Sequence, residues 1–388
     1  MVEKRKKNIM ILSSHTFDVF GGYEKTLLTI LNRMKNDYNI KILSAPFNQT
    51  LLKNDVLKEF ESYKIYRFSD YKNKLHYRLN FLIHKLLHKK FFINYRGIFD
   101  YLNSLPEKPD LIIITEPLLI NTARRVITNL NLNCKIAYWD HGALNCYFTL
   151  NRTRFFHKKE IVESIKEADF HLAISSAIEN LILVLNPYAK IYKVFNPVEQ
   201  YNGKLIFRPK QPIFLYVGRI EETQKNLIFT LFGLSKIHKN WKLIIVGDGP
   251  DSKKIKNLAK KLKIDDKIEW RGFKKDPYEN LNEGVTALLL TSRWEGFPLV
   301  LVEANIRGIP AIVSNFSGAS DIIINGKNGY IFQQNNMEEF IKIINDVIDG
   351  KLTFDTPENI SKTADRFSED KVYNNIIQAI NNELKNKI

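Results

Sequence analysis

Two cysteines in 388 residues, Cys134 and Cys146, cannot build a disulfide framework, so a secreted disulfide-stapled domain is excluded and reduced thiols in a cytoplasmic protein are the expectation. Long apolar runs are also missing. The longest, such as Leu111–Ile114 and Ala287–Leu290, are of strand length and far from the roughly 20 residues that span a bilayer. The basic start Met1–Lys7 is followed by only Ile9–Leu12 as an apolar stretch. That is short of the about 7–15 apolar residues of a signal peptide, and it reads as a first strand. Glycine and proline are few (17 and 13) and the apolar fraction of 44% is too high for intrinsic disorder. Neither G-x-G-x-x-G nor G-x-x-x-x-G-K-[ST] occurs, which removes the dinucleotide fingerprint and the P-loop. Zinc-finger, RRM and helix-turn-helix signatures are absent, so no nucleic-acid partner is expected. There is no internal repeat and no low-complexity tract.

Positive charge is plentiful. Lys and Arg number 58 against 42 Asp and Glu, for a net +16. Residues 1–100 hold 19 basic against 9 acidic residues, and residues 64–96 hold 9 against 1. Such a surface implies an anionic partner: nucleic acid, a phospholipid surface or a phosphate-bearing substrate.

Along the chain a short apolar strand, a turn and an amphipathic helix alternate. The pattern predicts strands at 8–13, 39–44, 110–115, 134–139 and 170–174, then at 212–217, 242–247, 267–270, 286–290 and 310–313. Helices are predicted at 22–35, 117–130, 158–167, 176–185, 225–239, 252–263, 298–307 and 336–349. This alternation predicts βαβ units and parallel sheets with both faces covered, hence the continuous apolar strands. The polar, Pro- and Gly-bearing stretch 196–212 interrupts it and reads as a linker. The expected organisation is therefore two doubly wound α/β domains, 1–195 and 213–369, with a helix in 370–388 that returns to the first domain. Ligands of such folds bind beyond the carboxyl ends of the strands, and the cleft between two facing domains is the default site.

Five constellations offer chemistry. In Glu295-Gly296-Phe297-Pro298-Leu299-Val300, Pro298 suits the first turn of a helix, and the N–H groups of 296–300 with the helix dipole favour an anion such as phosphate. Glu295 would stand in the loop and Glu303 about two turns inside; such carboxylates hold sugar or ribose hydroxyls, the plain alternative being a surface loop before an ordinary helix. Arg219 and Lys225, six apart after Val217-Gly218, could clamp a diphosphate or simply line a solvated loop. Gly21 and Gly22 after the first strand allow close backbone approach to a ligand, or merely end the strand, and Gly247-Asp248-Gly249-Pro250 resembles a plain turn. His141, at the end of a strand, suits hydroxyl donation or acid/base work, or a structural role. Finally Leu75, Leu79, Leu82 and Leu86 mark an amphipathic helix within 72–93 carrying Lys74, Arg78, Lys85, Lys89 and Lys90. It suits an anionic bilayer or acceptor, or covers the sheet with a solvated cationic face. His84 and His88 lack acidic or Cys neighbours that would complete a metal site.

In order, these pieces resemble the retaining glycosyltransferases of family 4, of GT-B architecture. The most specific signature is the E-x7-E element Glu295–Glu303 within Leu-Leu-Leu-Thr-Ser-Arg-Trp-Glu-Gly-Phe-Pro-Leu-Val-Leu-Val-Glu-Ala, followed by Gly308-Ile-Pro310 and Asn325-Gly326-Lys-Asn-Gly329. Upstream, Val217-Gly218-Arg219 with Lys225 matches the phosphate-binding pair. Segments 168–176 and 194–199 are similar to a narrower set, the lipopolysaccharide-core hexosyltransferases, notably UDP-galactose-dependent α-1,6-galactosyltransferases. The resemblance spans about 8–385 and is strongest in 213–332.

The resemblance implies an acceptor-binding first domain, a nucleotide-sugar-binding second domain and a cleft between them. It implies Glu295 on the donor-sugar hydroxyls, Glu303 on the ribose, and Arg219 and Lys225 on the diphosphate. Phe273 in the loop Gly272-Phe273 would lie beside the nucleobase, and the backbone from Gly296 through Phe297, Pro298, Leu299 and Val300 would cap phosphate and sugar. Gly21 and Gly22 would approach the phosphates, and His141 the donor sugar. The expected activity is transfer of a hexose, with galactose the first candidate, from a UDP-sugar to a bacterial glycan: lipopolysaccharide, capsule, exopolysaccharide or teichoic acid. The UDP-sugar is a co-substrate, no cofactor is expected, and the absence of Asp-x-Asp fits catalysis without metal. Arg78, Lys85, Lys89 and Lys90 would meet an anionic membrane or a glycolipid acceptor, giving a cytoplasmic protein peripheral to the membrane. The other readings are a GT-B UDP-sugar epimerase and an inactive glycan- or membrane-binding protein; the full set Arg219, Lys225, Glu295 and Glu303 disfavours both.

Overall fold

The computed structural model describes residues 5–13, 22–44, 62–64, 95–141 and 155–385, together with Leu144 and Phe148. The chain divides into two compact units, Met1–Pro197 with Val372–Ile388, and Val198–Lys371.

The first unit is built on seven strands: β1 (Lys7–Ser13), β2 (Tyr38–Ser44), β3 (Ser62–Lys64), β4 (Leu111–Ile114), β5 (Lys135–Asp140), β6 (Phe170–Ala173) and β7 (Ile191–Lys193). They lie in the order β3-β2-β1-β4-β5-β6-β7, and every pairing is parallel. Ile9 sits between Ile40 of β2 and Leu111 of β4, which fixes the register at the centre of the sheet. Between the strands run helices α1 (Gly22–Met34), α2 (Tyr95–Ser104), α3 (Pro117–Asn129), α4 (Phe155–Lys166) and α5 (Ser176–Leu185). Helix α5 starts where Ser175 turns extended and its hydroxyl accepts from the Ile178 N–H, an N-cap.

The second unit carries β8 (Ile213–Val217), β9 (Lys242–Val246), β10 (Ile268–Gly272), β11 (Ala287–Leu290), β12 (Ala311–Ser314) and β13 (Gly329–Phe332). Their order is β10-β9-β8-β11-β12-β13, again all parallel, with Phe214 between Leu243 and Ala287. The helices are α6 (Glu222–Lys225), α7 (Leu227–Ser235), α8 (Ser252–Lys261), α9 (Leu299–Ile306), α10 (Met337–Ile348) and α11 (Pro357–Thr363). Phe214, Tyr216, Leu231, Ile245, Leu289 and Phe340 are buried in one core cluster. A fully buried Leu or Phe side chain contributes about 1.5–3 kcal/mol. Strand order reverses between β1 and β4 in one sheet and between β8 and β11 in the other. These are the switch points where doubly wound sheets leave a crevice beyond their carboxyl ends.

Helix α12 (Glu369–Lys385) returns to the first unit. It buries Val372, Ile376, Ala379 and Ile380, and its buried Glu383 accepts from Lys135 Nζ at 3.0 Å and Tyr192 Oη at 2.7 Å, with Lys190 Nζ at 2.9 Å. Burial alone would push the Glu383 carboxyl up, but the bonds from Lys190, Tyr192 and Lys135 outweigh it and hold the group below the usual range.

The structure departs from the sequence expectation at several places. Strands β3, β7 and β13 and helices α2 and α11 are additional. Of the single helix predicted at 225–239 the structure keeps Leu227–Ser235, and a separate short helix, Glu222–Lys225, precedes it, the two divided at Asn226, whose φ of 53° is left-handed. Pro298 is the extended residue before α9 (φ −75°, ψ 90°), outside the first turn where it was placed. Glu303 is consequently the fifth helical residue, just over one turn in, where two turns were expected. The 72–93 segment lies outside the described residues, as do Gly21, Arg78, Lys85, Lys89 and Lys90.

Candidate active site

The second unit's switch point gathers a charged cluster. Strand β8 ends at Val217, and the chain turns at Gly218 and runs into the short helix α6 that presents Lys225. Strand β11 ends at Leu290, and the loop Thr291–Pro298 presents Glu295 before α9. Lys225 Nζ donates to Glu295 Oε1 at 2.7 Å, and the two side chains are only 15% and 7% exposed. Ser292 Oγ donates to the same oxygen at 2.5 Å, and Gln224 Nε2 lies 3.4 Å from Oε2. Both oxygens of this carboxylate are thereby oriented. The turn after β9 demands glycine: a Cβ on Gly247, at φ +144°, would lie 1.9 Å from the Gly218 carbonyl oxygen, so the loops after β8 and β9 touch backbone to backbone.

A second layer locks the two loops together. Arg293 Nη2 donates to Asn226 Oδ1 at 2.6 Å and pairs with Glu222 Oε1 at 3.3 Å, while Nη1 donates to the Glu222 carbonyl. The Arg293 N–H reaches the Gln224 carbonyl at 2.8 Å. The Thr291 hydroxyl donates to the Asn226 carbonyl at 3.0 Å, and Ser314 Oγ donates to the Ser292 carbonyl at 2.6 Å. Glu222 also accepts from the Ile228 N–H at 3.0 Å, so it caps α7 where Asn226 breaks the helix. Buried Tyr216, beneath this layer, has its phenol pushed far up, by burial first and then by Glu295 and Glu222, and donates to the Arg219 carbonyl at 2.9 Å.

Other expected residues stand differently. Arg219 is not joined to the Lys225–Glu295 pair: its side chain is 67% exposed and faces Glu221 at 3.4 Å. Phe273 is 80% exposed beside Gly272. The N-cap residue of α9, Pro298, offers no side-chain cap, and the Leu301 N–H bonds the Pro298 carbonyl, so the N–H groups of Leu299 and Val300 stand at the head of the helix dipole. Gly296 is half-buried and Phe297 packs on Phe367 at 5.4 Å. Glu303 is half-buried; its carbonyl accepts from Arg307 Nη1 at 2.9 Å. The phenol of Tyr278 is pushed well up, chiefly by burial and then by the charge of Glu303. Gln224, Ser292, Arg293 and Asn226 were missed by the sequence reading.

In the first unit, three strand ends meet at Tyr23, one residue after Gly22. Its hydroxyl bonds Ser13 Oγ at 3.1 Å, at the last residue of β1, and donates to Thr115 Oγ1 at 3.0 Å, just beyond β4. Its ring meets His141, beyond β5, edge-on at 4.8 Å, and Trp139 packs on the same imidazole at 4.6 Å. Asp140 is fully buried and accepts from Tyr138 Oη and the Leu144 N–H, which anchors the backbone beside His141. Among the described residues no group of three or more His, Cys, Asp or Glu is placed to share a metal ion, and no helix is long and apolar enough to cross a membrane.

Two doubly wound parallel sheets are the architecture of the GT-B glycosyltransferases. A family model for glycosyl transferases group 1 matches residues 198–382. The lipopolysaccharide 1,6-galactosyltransferase of Escherichia coli strain K12 is 34% identical over 282 residues, 70% of this chain and 75% of that protein. Its Salmonella typhimurium strain LT2 counterpart is 33% identical over 288 residues, 71% and 76% of the two chains. The chain belongs to the glycosyl transferases group 1 family. Among solved structures, the apo form of the lipopolysaccharide outer core galactosyltransferase WaaB superposes with a TM-score of 0.80 and 28% identity over 97% of this chain and 99% of that one. Anabaena HepE in complex with UDP shares the fold at a TM-score of 0.70 and 16% identity.

Proposed function

We propose that this glycosyltransferase is a retaining hexosyltransferase of family 4 that moves galactose from UDP-galactose to a lipopolysaccharide core, without a metal ion. The observation that carries the reading is the Lys225–Glu295 pair, held at the switch point in front of the α9 N-terminus. Breaking a sugar–phosphate bond leaves negative charge on the diphosphate and positive charge on the sugar. An ammonium group and the N–H groups of Leu299 and Val300, preorganised before the reaction, stabilise the leaving diphosphate. Glu295, its oxygens oriented by Ser292 and Gln224, accepts hydrogen bonds from sugar hydroxyls and orients the anomeric carbon.

In this reading Arg219 is recruited to the diphosphate from its exposed position, Glu303 holds the ribose and Phe273 flanks the base. His141 serves the donor sugar from the first unit, with Gly21 and Gly22 near the phosphates. The first unit receives the acceptor, and the 72–93 segment with Arg78, Lys85, Lys89 and Lys90 holds the enzyme at an anionic membrane on the cytoplasmic side. The galactosyltransferase relatives support the donor and acceptor classes. The test is a thermal-shift screen of nucleotide sugars followed by NMR of the product on lipopolysaccharide-core acceptors, with and without chelator. UDP-galactose as the stabilising donor, an α-linked product and unchanged rates in EDTA are expected. Stabilisation by another sugar nucleotide alone, a β-linked product or loss of activity in chelator would each overturn the corresponding part.

A further inference from the structure

Helix α9 (Leu299–Ile306) carries three groups that the proposed function uses: the Leu299 and Val300 N–H groups at its start and the Glu303 side chain. Its own sequence does little to fix that start. Pro298, the N-cap residue, has no N–H and no capping side chain, and the helix opens Leu-Val-Leu-Val with no acid in its first turn. An anchor comes from another loop.

Tyr278 stands between β10 and β11 and is 6% exposed. Its N–H donates to Asp276 Oδ1 at 3.0 Å, which pins the turn it stands in. Its hydroxyl donates to the Val300 carbonyl at 2.9 Å. In an α-helix such a carbonyl also accepts from the N–H four residues on, so Tyr278 supplies a second bond from outside the helix. The Arg307 guanidinium lies over the Tyr278 ring, 4.4 Å from its centre, and 4.5 Å from the centre of the Tyr201 ring. Arg307 is the C-cap residue of α9, and its Nη1 donates back to the Glu303 carbonyl at 2.9 Å. One aromatic side chain thus bears on both ends of a helix about 12 Å long. Burial, and then the charge of Glu303, pushes the Tyr278 phenol well up, so its hydroxyl stays a donor through the neutral range.

We propose that Tyr278 is a positioning residue for the donor diphosphate, which sets the direction in which the Leu299 and Val300 N–H groups point; the role rests on the diphosphate lying at this helix start, as proposed above. The Val300 carbonyl belongs to the peptide plane directly after the Val300 N–H, so only that residue's two torsions separate the anchor from the donor group. Hydrogen bonds weaken steeply as they bend, and a helix start that can rock loses the advantage of donors aimed before the charge develops. A side chain that only filled this part of the core would need no hydroxyl, since burying one costs free energy unless it is bonded.

The experiment is titration calorimetry of the full-length wild type and Tyr278→Phe, each with UDP and with uridine. Phenylalanine keeps the ring against Arg307 and removes only the bond to Val300. The wild type is expected to bind UDP more tightly than uridine. Y278F should lose about tenfold of that preference, the low end of the worth of one hydrogen bond to a charged group, with its uridine affinity unchanged. An equal loss for both ligands, or an unchanged preference with only a lower thermal midpoint, would make Tyr278 a plain core residue and overturn the proposal. A wild type that binds uridine as tightly as UDP would instead overturn the diphosphate assignment itself, and this role with it. No sugar or acceptor enters the measurement, so a different donor sugar or acceptor leaves its outcome unaffected.

Discussion

Replacing Lys225 by Met tests the charged pair from both sides. Lys225 Nζ is 2.7 Å from Glu295 Oε1, and the pair is nearly closed to solvent. Removing one partner of a buried pair costs about 3–5 kcal/mol, because the other charge stays behind unpaired. Ser292 and Gln224 still donate to the Glu295 carboxylate, which places the cost at the low end, about 3 kcal/mol. In a unit the size of Val198–Lys371 each kcal/mol lowers the unfolding midpoint by about 2–4 °C, so calorimetry should find a drop of about 6–12 °C. K225M/E295Q carries neither charge and should be more stable than the sum of the two single changes predicts, by about 1–3 kcal/mol. UDP affinity, read by titration calorimetry, should fall roughly 10–150-fold in K225M, the worth of one charged hydrogen bond, and should hold in E295Q. A K225M midpoint within a degree of wild type, or strict additivity in the double variant, would refute the buried-pair argument. Unchanged UDP affinity would refute the diphosphate role.

Three further outcomes are expected. Glu295→Ala should abolish transfer with the fold intact; near-normal turnover would remove Glu295 from the chemistry. Arg293→Ala, which frees the two loops from each other, should lower kcat and raise KM for donor together, with partial rescue by Arg293→Lys through the retained charge. An effect on stability alone would make the Arg293 layer purely structural. His171, fully buried on β6 with no hydrogen bond to either ring nitrogen among the described residues, is pushed down to about 4 by burial. The unfolded chain takes up this proton near pH 6.5 and the folded one only near 4, so stability is full above about pH 6.5 and is lost as the pH falls toward 4. Urea melts should lose about 2 kcal/mol more in the wild type than in His171→Leu between pH 7 and 5; equal losses would contradict the neutral buried imidazole.

The parallel sheets were legible because their central strands are unbroken apolar runs: Leu111–Ile114 and Ala287–Leu290 fall where expected and are buried on both faces. Strands β3, β7 and β13 escaped because they are edge strands of three or four residues, and Ile-Tyr-Lys carries no period that distinguishes it from a loop. The break at Asn226 was invisible for a different reason. Residues 225–239 suit one helix locally, and what holds Asn226 left-handed is tertiary: Arg293 on its side chain and Thr291 on its carbonyl. The site shows the same division. Glu295, Lys225 and the helix start were readable from spacing along the chain. Gln224 and Arg293 were not, because their roles depend on two loops about 70 residues apart in sequence meeting beyond neighbouring strands; Ser292 lies three residues from Glu295 in the same loop, but a serine in a polar turn carries no signal of its partner. Arg219 marks the converse: spacing pairs it with Lys225, whereas the fold leaves it outside that pair, against Glu221.

The most direct test of the central claim is a crystal structure of the protein soaked with UDP. The diphosphate is predicted to lie within hydrogen-bond reach of Lys225 Nζ and of the Leu299 and Val300 N–H groups, at the carboxyl ends of β8 and β11. A diphosphate bound elsewhere, with Lys225 still closed on Glu295 and the α9 N-terminus empty, would contradict the account.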